Sequence, residues 1–280
     1  MPLGEEFFLL ALIFGVLIGT ISSIVGIGGG ILFIPTSIFI FGFSLKESVV
    51  ISLFSMTGLN ISATIRYMKM KLINYRLAVL YNIWDLPGVI VGAWITSLIT
   101  QNILAGICGA LIIFLSIILF RKNNKHNREK KNPPNSQNED GNINKSKLNQ
   151  KNKLGVNNPI LASFSSFSGG FISGLGGLGG GTADTTTMIL LGLDPKEAAA
   201  TSEFAMVFTS VFGVLIHTFI GTYSGSFFWP IMMTLGGIIG AQVGSYLSIK
   251  IESNVIRKML AVFAFYTGVL LILLMFNIGW

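Results

Sequence analysis

The sequence predicts an all-α, polytopic membrane protein made of two inverted-topology repeats, each a glycine-broken helical hairpin plus three transmembrane helices. Three observations predict it: too few charges for a water-facing surface, a series of apolar stretches of spanning length, and one set of motifs that occurs twice. Of 280 residues, 51% are hydrophobic and 11% charged, against about 25% charged in a soluble domain. Such a chain puts most of its surface in lipid. The net charge of +7 does not mark a nucleic-acid partner. Ten Lys/Arg and three Asp/Glu lie between Arg121 and Lys153, so this segment carries the whole excess, with no aromatic residue interleaved. The single cysteine, Cys108, sits in an apolar run, which leaves no disulfide framework and no cysteine-based metal site. No cofactor and no metal are expected. Residues Met1–Phe8 hold two acids and no Lys or Arg. The first apolar run therefore lacks the positive start of a secretory signal and is expected to remain as a membrane helix.

A span takes about 20 apolar residues. Phe7–Val25 is uncharged and long enough; Gly26-Ile27-Gly28-Gly29-Gly30 breaks it, and Ile31–Phe43 is too short for a straight crossing. Val49–Ile65, Leu77–Ile99 and Ile103–Phe120 follow as spans. Arg121–Asn158, rich in Asn, Lys, Pro and Ser, cannot bury enough apolar surface to offset its chain entropy, so a disordered linker is expected there. Ile160–Leu175 restarts the pattern, followed by a second glycine run, Gly176–Gly181, and a second short stretch, Thr182–Leu193. Ala198–Phe219, Phe227–Ile249 and Met259–Ile278 are the remaining spans. The expected domains are residues 1–120, a first transmembrane repeat; 121–158, a basic cytoplasmic linker; and 159–280, a second repeat.

Both halves carry the same markers in the same order. Gly26–Gly30 matches Gly177–Gly181, Gly42–Glu47 matches Gly192–Glu197, Ser52 falls on Ser202, and Gly88/Gly92 match Gly236/Gly240. Lys and Arg near membrane ends favour the cytoplasm. That rule places Arg66–Arg76, the linker and the loop of Lys250, Arg257 and Lys258 inside. Thr100–Asn102, Thr222–Ser226 and Gly42–Lys46 are then outside, and Asp194–Lys196 inside. Equivalent loops face opposite sides, so each half crosses an odd number of times. Three spans plus a glycine-broken hairpin give that count, as in many secondary transporters; the alternative is that the short segments are ordinary helices with no re-entrant turn.

Consecutive glycines let the backbone turn sharply. In lipid such a break must face a polar cavity or be buried in protein. The helix start after each run carries free N–H groups and a positive dipole end, which suits an anion. Gly28, Gly29, Gly30, Gly179, Gly180, Gly181 and Thr182 are therefore candidate substrate contacts, whereas Gly88/Gly92 and Gly236/Gly240 suit close helix packing. The two GxGGG copies, Pro35 after the first, and Ala199-Ala200-Thr201-Ser202 after Gly192-x3-Lys196-Glu197 resemble the sulfite exporter TauE/SafE family, also called toluenesulfonate uptake permeases. The resemblance covers both halves and omits the linker. It implies a plasma-membrane transporter of small anions such as sulfite, sulfonates, sulfoacetate or related organic acids, and no enzyme activity. Repeat two departs from the pattern, with Thr186 in the place of Pro35 and Asp184 in the place of Phe33. A carboxylate at that helix start is protonated when substrate binds, or caps its own helix, or belongs to a cation site.

Ionisable groups within a span cost about 2.5–3.5 kcal/mol on insertion scales and are candidates for function. Asp85, Asp184, Glu203 and His217 qualify as coupling residues. Asp85, in Trp84-Asp85-Leu86-Pro87, can alternatively satisfy backbone groups freed by Pro87. His217 can instead make an interfacial hydrogen bond, and Arg66, at almost the same repeat position, can snorkel to the inner interface. Ser52 and Asn60, and their equivalents Ser202 and Ser210, repeat at a spacing of eight and fall on nearly one face of paired helices. Those faces are expected to line the cavity, or else to bond helix to helix. Trp84, Trp94, Trp229 and Trp280 are expected at the membrane interfaces.

The reading is a secondary transporter that moves a small anion by alternating access, driven by an ion gradient, in contact with lipid and with protons or another coupling ion, with no nucleic-acid partner and a homodimer open. Glu203, about 12 Å into its helix from Pro195, has Leu53 as its counterpart, so the fold does not demand a carboxylate there. The alternative is an ion channel or cation-coupled transporter using Asp184 and Glu203. No HExxH, GxSxG or paired histidines suggest an intramembrane enzyme; a membrane scaffold for a partner of the linker is a further class.

Overall fold

Short breaks set the element boundaries. The computed structural model describes residues 7–117 and 159–276, apart from Gln101, Leu111, Leu115, Thr222, Ser224 and Ser226. The basic linker and Trp280 lie outside the described residues. Every described regular element is a helix: α1 Phe8–Val25, α2 Gly30–Phe39, α3 Leu45–Lys69, α4 Tyr75–Leu98, α5 Asn102–Phe114, α6 Pro159–Gly176, α7 Gly181–Leu190, α8 Pro195–Phe219, α9 Phe228–Lys250 and α10 Ser253–Met275. Six of these, α1, α3, α4, α8, α9 and α10, are long and apolar enough to cross a membrane. Leu17, Ile83, Ile90, Trp94, Phe164 and Val262 are exposed on the outer surface, the pattern of a protein solvated by hydrocarbon. This is a multi-pass membrane protein.

Local chemistry explains where the helices begin and end. Ser44 caps α3 in a reciprocal capping box: its Oγ accepts from the Glu47 amide at 3.3 Å, and its own amide donates to Glu47 Oε2 at 3.0 Å. Asp194 caps α8, with Pro195 at the first helical position. α1 ends because Gly26 turns left-handed at φ 77°, and Gly177 does the same after α6 at φ 60°.

The helices pack in two matching pairs. α1 lies along α9, and α6 lies along α4, each as parallel neighbours. A side chain at Gly240 would strike the Val16 carbonyl, and one at Gly244 the Thr20 carbonyl. On the other side Gly88 meets the Phe167 carbonyl and Gly92 the Phe171 carbonyl. These glycines serve close backbone packing, as expected. They also correct the repeat register. Val16 corresponds to Phe167 through the glycine runs, so Gly88 matches Gly240 and Gly92 matches Gly244. Because α9 carries glycines at 236, 240 and 244, the sequence markers fit equally one turn out of step, and only the contacts decide.

α3 and α8 run antiparallel through the centre. At one end the Asn74 amide donates to Thr201 Oγ1 at 3.0 Å and Lys196 Nζ donates to the Ile249 carbonyl at 2.6 Å. Arg66 and Lys250 stack on the Tyr246 ring there, at 4.9 and 4.4 Å. At the opposite end Phe41 and Phe43 pack on Trp229, at 4.9 and 6.0 Å between ring centroids. Trp229 is thus a buried packing residue and not an interface anchor, whereas Trp84 and Trp94 are exposed. Tyr223 lies beside Glu47 at this end, and burial together with that charge pushes its phenol up to about 12. α1 and α2 leave and return at the same end, so each glycine run is the tip of a hairpin held inside the bundle.

Candidate functional site

The two hairpin tips cross each other at the centre of the molecule. A Cβ at Gly30 would fall on the Leu178 carbonyl, and one at Gly181 would lie 2.9 Å from the Ile27 backbone. Gly28 and Gly179 adopt φ 70° and 72°, a region that disfavours side chains. Met56 of α3 and Met206 of α8, repeat equivalents, close over these glycines from both sides. Two hydroxyls tie the tips down: Ser52 Oγ donates to the Gly177 carbonyl at 2.8 Å and Thr185 Oγ1 to the Gly26 carbonyl at 2.6 Å. The space beside Gly28–Gly30 and Gly179–Gly181 is therefore filled by protein, and the glycines first of all let the two loops touch. Gly29 and Gly180 differ: φ is 96° at the former and −56° at the latter.

The polar residues divide into bonded and unbonded sets. Ser52 is committed to Gly177, and Ser210 Oγ donates to the Val207 carbonyl at 3.2 Å. Asn60, Thr182 and Ser202 are buried and make no hydrogen bond through their side chains. Glu203 is fully buried beside the Gly28 amide and close to Tyr67, with neither oxygen in a hydrogen bond of normal geometry. His217 Nε2 donates to the Gly174 carbonyl at 2.9 Å. Its counterpart is Tyr67, whose hydroxyl bonds the equivalent Ser23 carbonyl and, at 3.1 Å, Ser248 Oγ. His217 and Tyr67 thus each hold the carbonyl three residues before a glycine break, and Arg66 is not the residue that matches His217.

An acidic cluster forms beside the other tip, which sequence reasoning did not assemble. Ser166 of α6 contacts Asp85 Oδ1 of α4 at 2.9 Å and the Tyr81 carbonyl at 2.5 Å. One turn on, Gly170 packs on the Asp85 backbone, and Gly169 faces Asp184 Oδ1 of α7. Thr209 of α8 lies beside Asp85, and Asp85 is the charge nearest in effect to Asp184. The Tyr81 hydroxyl and Thr187 Oγ1 close the cluster at 3.2 Å. Two expected roles are corrected here. Asp184 does not cap α7, since both its oxygens lack a partner. Asp85 does not repair the helix at Pro87: its Oδ1 contacts Ser166 and its Oδ2 has no partner, so neither oxygen reaches a carbonyl freed by Pro87. The clue in the sequence was Ser166 four residues before Gly170, on one face of the same helix.

The model of the sulfite exporter TauE/SafE family matches residues 11–271. The chain belongs to the sulfite exporter TauE/SafE family. It is also 25% identical to the probable membrane transporter protein YunE of Bacillus subtilis (strain 168), over 95% of this chain and 97% of that protein. No solved structure matches. Among the described residues of this TauE/SafE chain, the crossing tips gather Asn60, Thr182 and Ser202, whose side chains are unbonded, and the buried carboxylates Asp85, Asp184 and Glu203 within one apolar bundle. Uncompensated charges in such a setting are costly unless neutralised by a proton or an ion.

Proposed function

We propose that the protein is a secondary transporter of the plasma membrane that moves a small oxyanion, such as sulfite or a sulfonate, by alternating access around the two crossing glycine tips. The observation that carries this reading is the meeting of both breaks at the centre of a TauE/SafE chain. Each tip leads into a helix start, α2 or α7, whose first N–H groups lack intrahelical partners and attract anions. Asn60, Ser202 and Thr182 supply unbonded donors beside them. Alternating access needs two halves of opposite orientation. The antiparallel course of α3 and α8, and the paired packing of α1 on α9 and α6 on α4, support an inverted repeat. The basic end that gathers Arg66, Lys71, Arg76, Lys196 and Lys250 faces the cytoplasm on this reading. Driving energy comes from an ion gradient, with the buried carboxylates beside the tips, Asp85, Asp184 and Glu203, as the candidates for coupling.

Purified protein in sealed liposomes tests the reading, with sulfite, thiosulfate, sulfoacetate, sulfate and simple carboxylates as probes. Saturable flux that responds to an imposed gradient is expected for at least one of them. An ohmic current without saturation replaces the transporter by the channel.

A further inference from the structure

The pseudo-symmetry of the fold offers an internal control for the acidic cluster. In the corrected register Asp85 corresponds to Gly237, Asp184 to Phe33, Thr209 to Leu59 and Ser166 to Gly15. These counterparts also sit together: a Cβ at Gly237 would meet Leu59 at 3.4 Å and the Phe33 ring at 3.7 Å, and Gly29 touches the same two side chains. One half of the molecule therefore fills this position with a phenylalanine and a leucine against glycine. The other half fills it with two carboxylates and two hydroxyls. Packing does not require the acids, because the same backbone arrangement is built without them.

The hydrogen-bond geometry indicates what the acids hold. Ser166 has one hydroxyl proton. The hydroxyl lies 2.5 Å from the Tyr81 carbonyl and 2.9 Å from Asp85 Oδ1, so Asp85 receives at most a share of that proton. Asp85 Oδ2 and both oxygens of Asp184 are buried and unpartnered. Facing the pair are Tyr81 from α4, Ser165 and Ser166 from α6, Thr187 from α7 and Thr209 from α8, and among the described residues no Lys or Arg acts on either acid. Two adjacent carboxyl groups without a counter-charge cannot both ionise.

We propose that Asp85 and Asp184 form a proton-sharing carboxyl pair that carries the coupling proton, built into one half of the fold only. The proposal rests on the transporter reading above. One proton enters the pair from water on one side and leaves to the other, and only O–H bonds are made and broken. Glu203, beside the other tip, stands outside this pair.

Infrared difference spectra of the full-length protein in lipid, titrated with pH, read the protonated carboxyl stretch directly. A titrating band that disappears in Asp85→Asn and in Asp184→Asn, and that is unmoved when sodium replaces choline, is the expected result. A band retained in both variants, no titrating band, or one displaced by sodium overturns the proposal. The triple change Asp85→Gly, Asp184→Phe, Thr209→Leu copies the packing already present around Gly237, so it removes both acids where single variants fail to fold; the band must be absent there too. In the same liposomes, sulfite accumulation driven by a pH gradient should fall by an order of magnitude in Asp184→Asn and return in Asp184→Glu. Wild-type vesicles that move none of the probe anions defeat the transporter reading, while the spectra still decide the pair.

Discussion

Glu203 sits one residue from Ser202 and beside the Gly28 amide, in the tip whose N–H groups are proposed to meet the anion. A negative carboxylate there competes with the substrate for the same donor. Glu203→Gln removes that competition without changing size. The expected outcome is a KM for sulfite that no longer rises with pH, while gradient-driven accumulation survives because the proton travels through Asp85 and Asp184. Loss of accumulation with an unchanged KM profile would shift the coupling role back to Glu203. His217 has a different task. It holds the Gly174 carbonyl as Tyr67 holds that of Ser23. His217→Phe leaves a buried carbonyl with only the longer 3.4 Å contact from Thr96, at a cost of about 1 kcal/mol. Thermal unfolding should register that loss, and His217→Tyr, which copies the other half, should restore most of it. The pH profile of transport should not move in either variant.

The helices are joined by their smallest residues. Along α9 the missing side chains of Gly236, Gly240 and Gly244 admit the α1 backbone, and along α4 those of Gly88 and Gly92 admit α6. Without a hydrophobic drive between helices in lipid, this close fit is what holds each pair. Gly240→Leu or Gly92→Leu must push the paired helix away. Little monodisperse protein should survive extraction, as size-exclusion chromatography will show. Gly221→Ala is the control, since nothing lies within 4 Å of a Cβ there and only its φ of 74° opposes the change, worth about 1 kcal/mol. Periodic glycines of this kind were legible in the sequence, as were the breaks and six of the apolar spans. The pairing register was not, because α9 offers the same glycine spacing at two settings one turn apart. Nor was the acid cluster legible. Asp85, Ser166, Asp184 and Thr209 come from four helices and share no local pattern, and their meeting depends on α6 lying against α4.

At the scale of the whole molecule, symmetry and its violation carry different functions. On the inverted-repeat reading proposed above, each half supplies one hairpin, one tip and one central helix, α3 or α8. An equal pair of this sort can tilt about the crossing tips toward either side of a membrane with similar contacts, the requirement for alternating access. The side chains at the tips are not repeated: Phe33 and Leu59 plug one side, Asp184 and Thr209 the other. A transport cycle that couples to a proton needs such a difference only once. The orientation that this scheme demands can be measured directly. Lys46, at the start of α3, and Lys196, at the start of α8, are repeat equivalents placed at opposite ends of antiparallel helices. Cysteines at the two positions should react with a membrane-impermeant maleimide from opposite sides, Lys196→Cys only after the cytoplasmic face is opened and Lys46→Cys in intact cells. Native Cys108 is buried and contributes little background. Labelling of both positions from one side would mean that the two halves share an orientation, and would remove the geometric basis for alternating access in this chain.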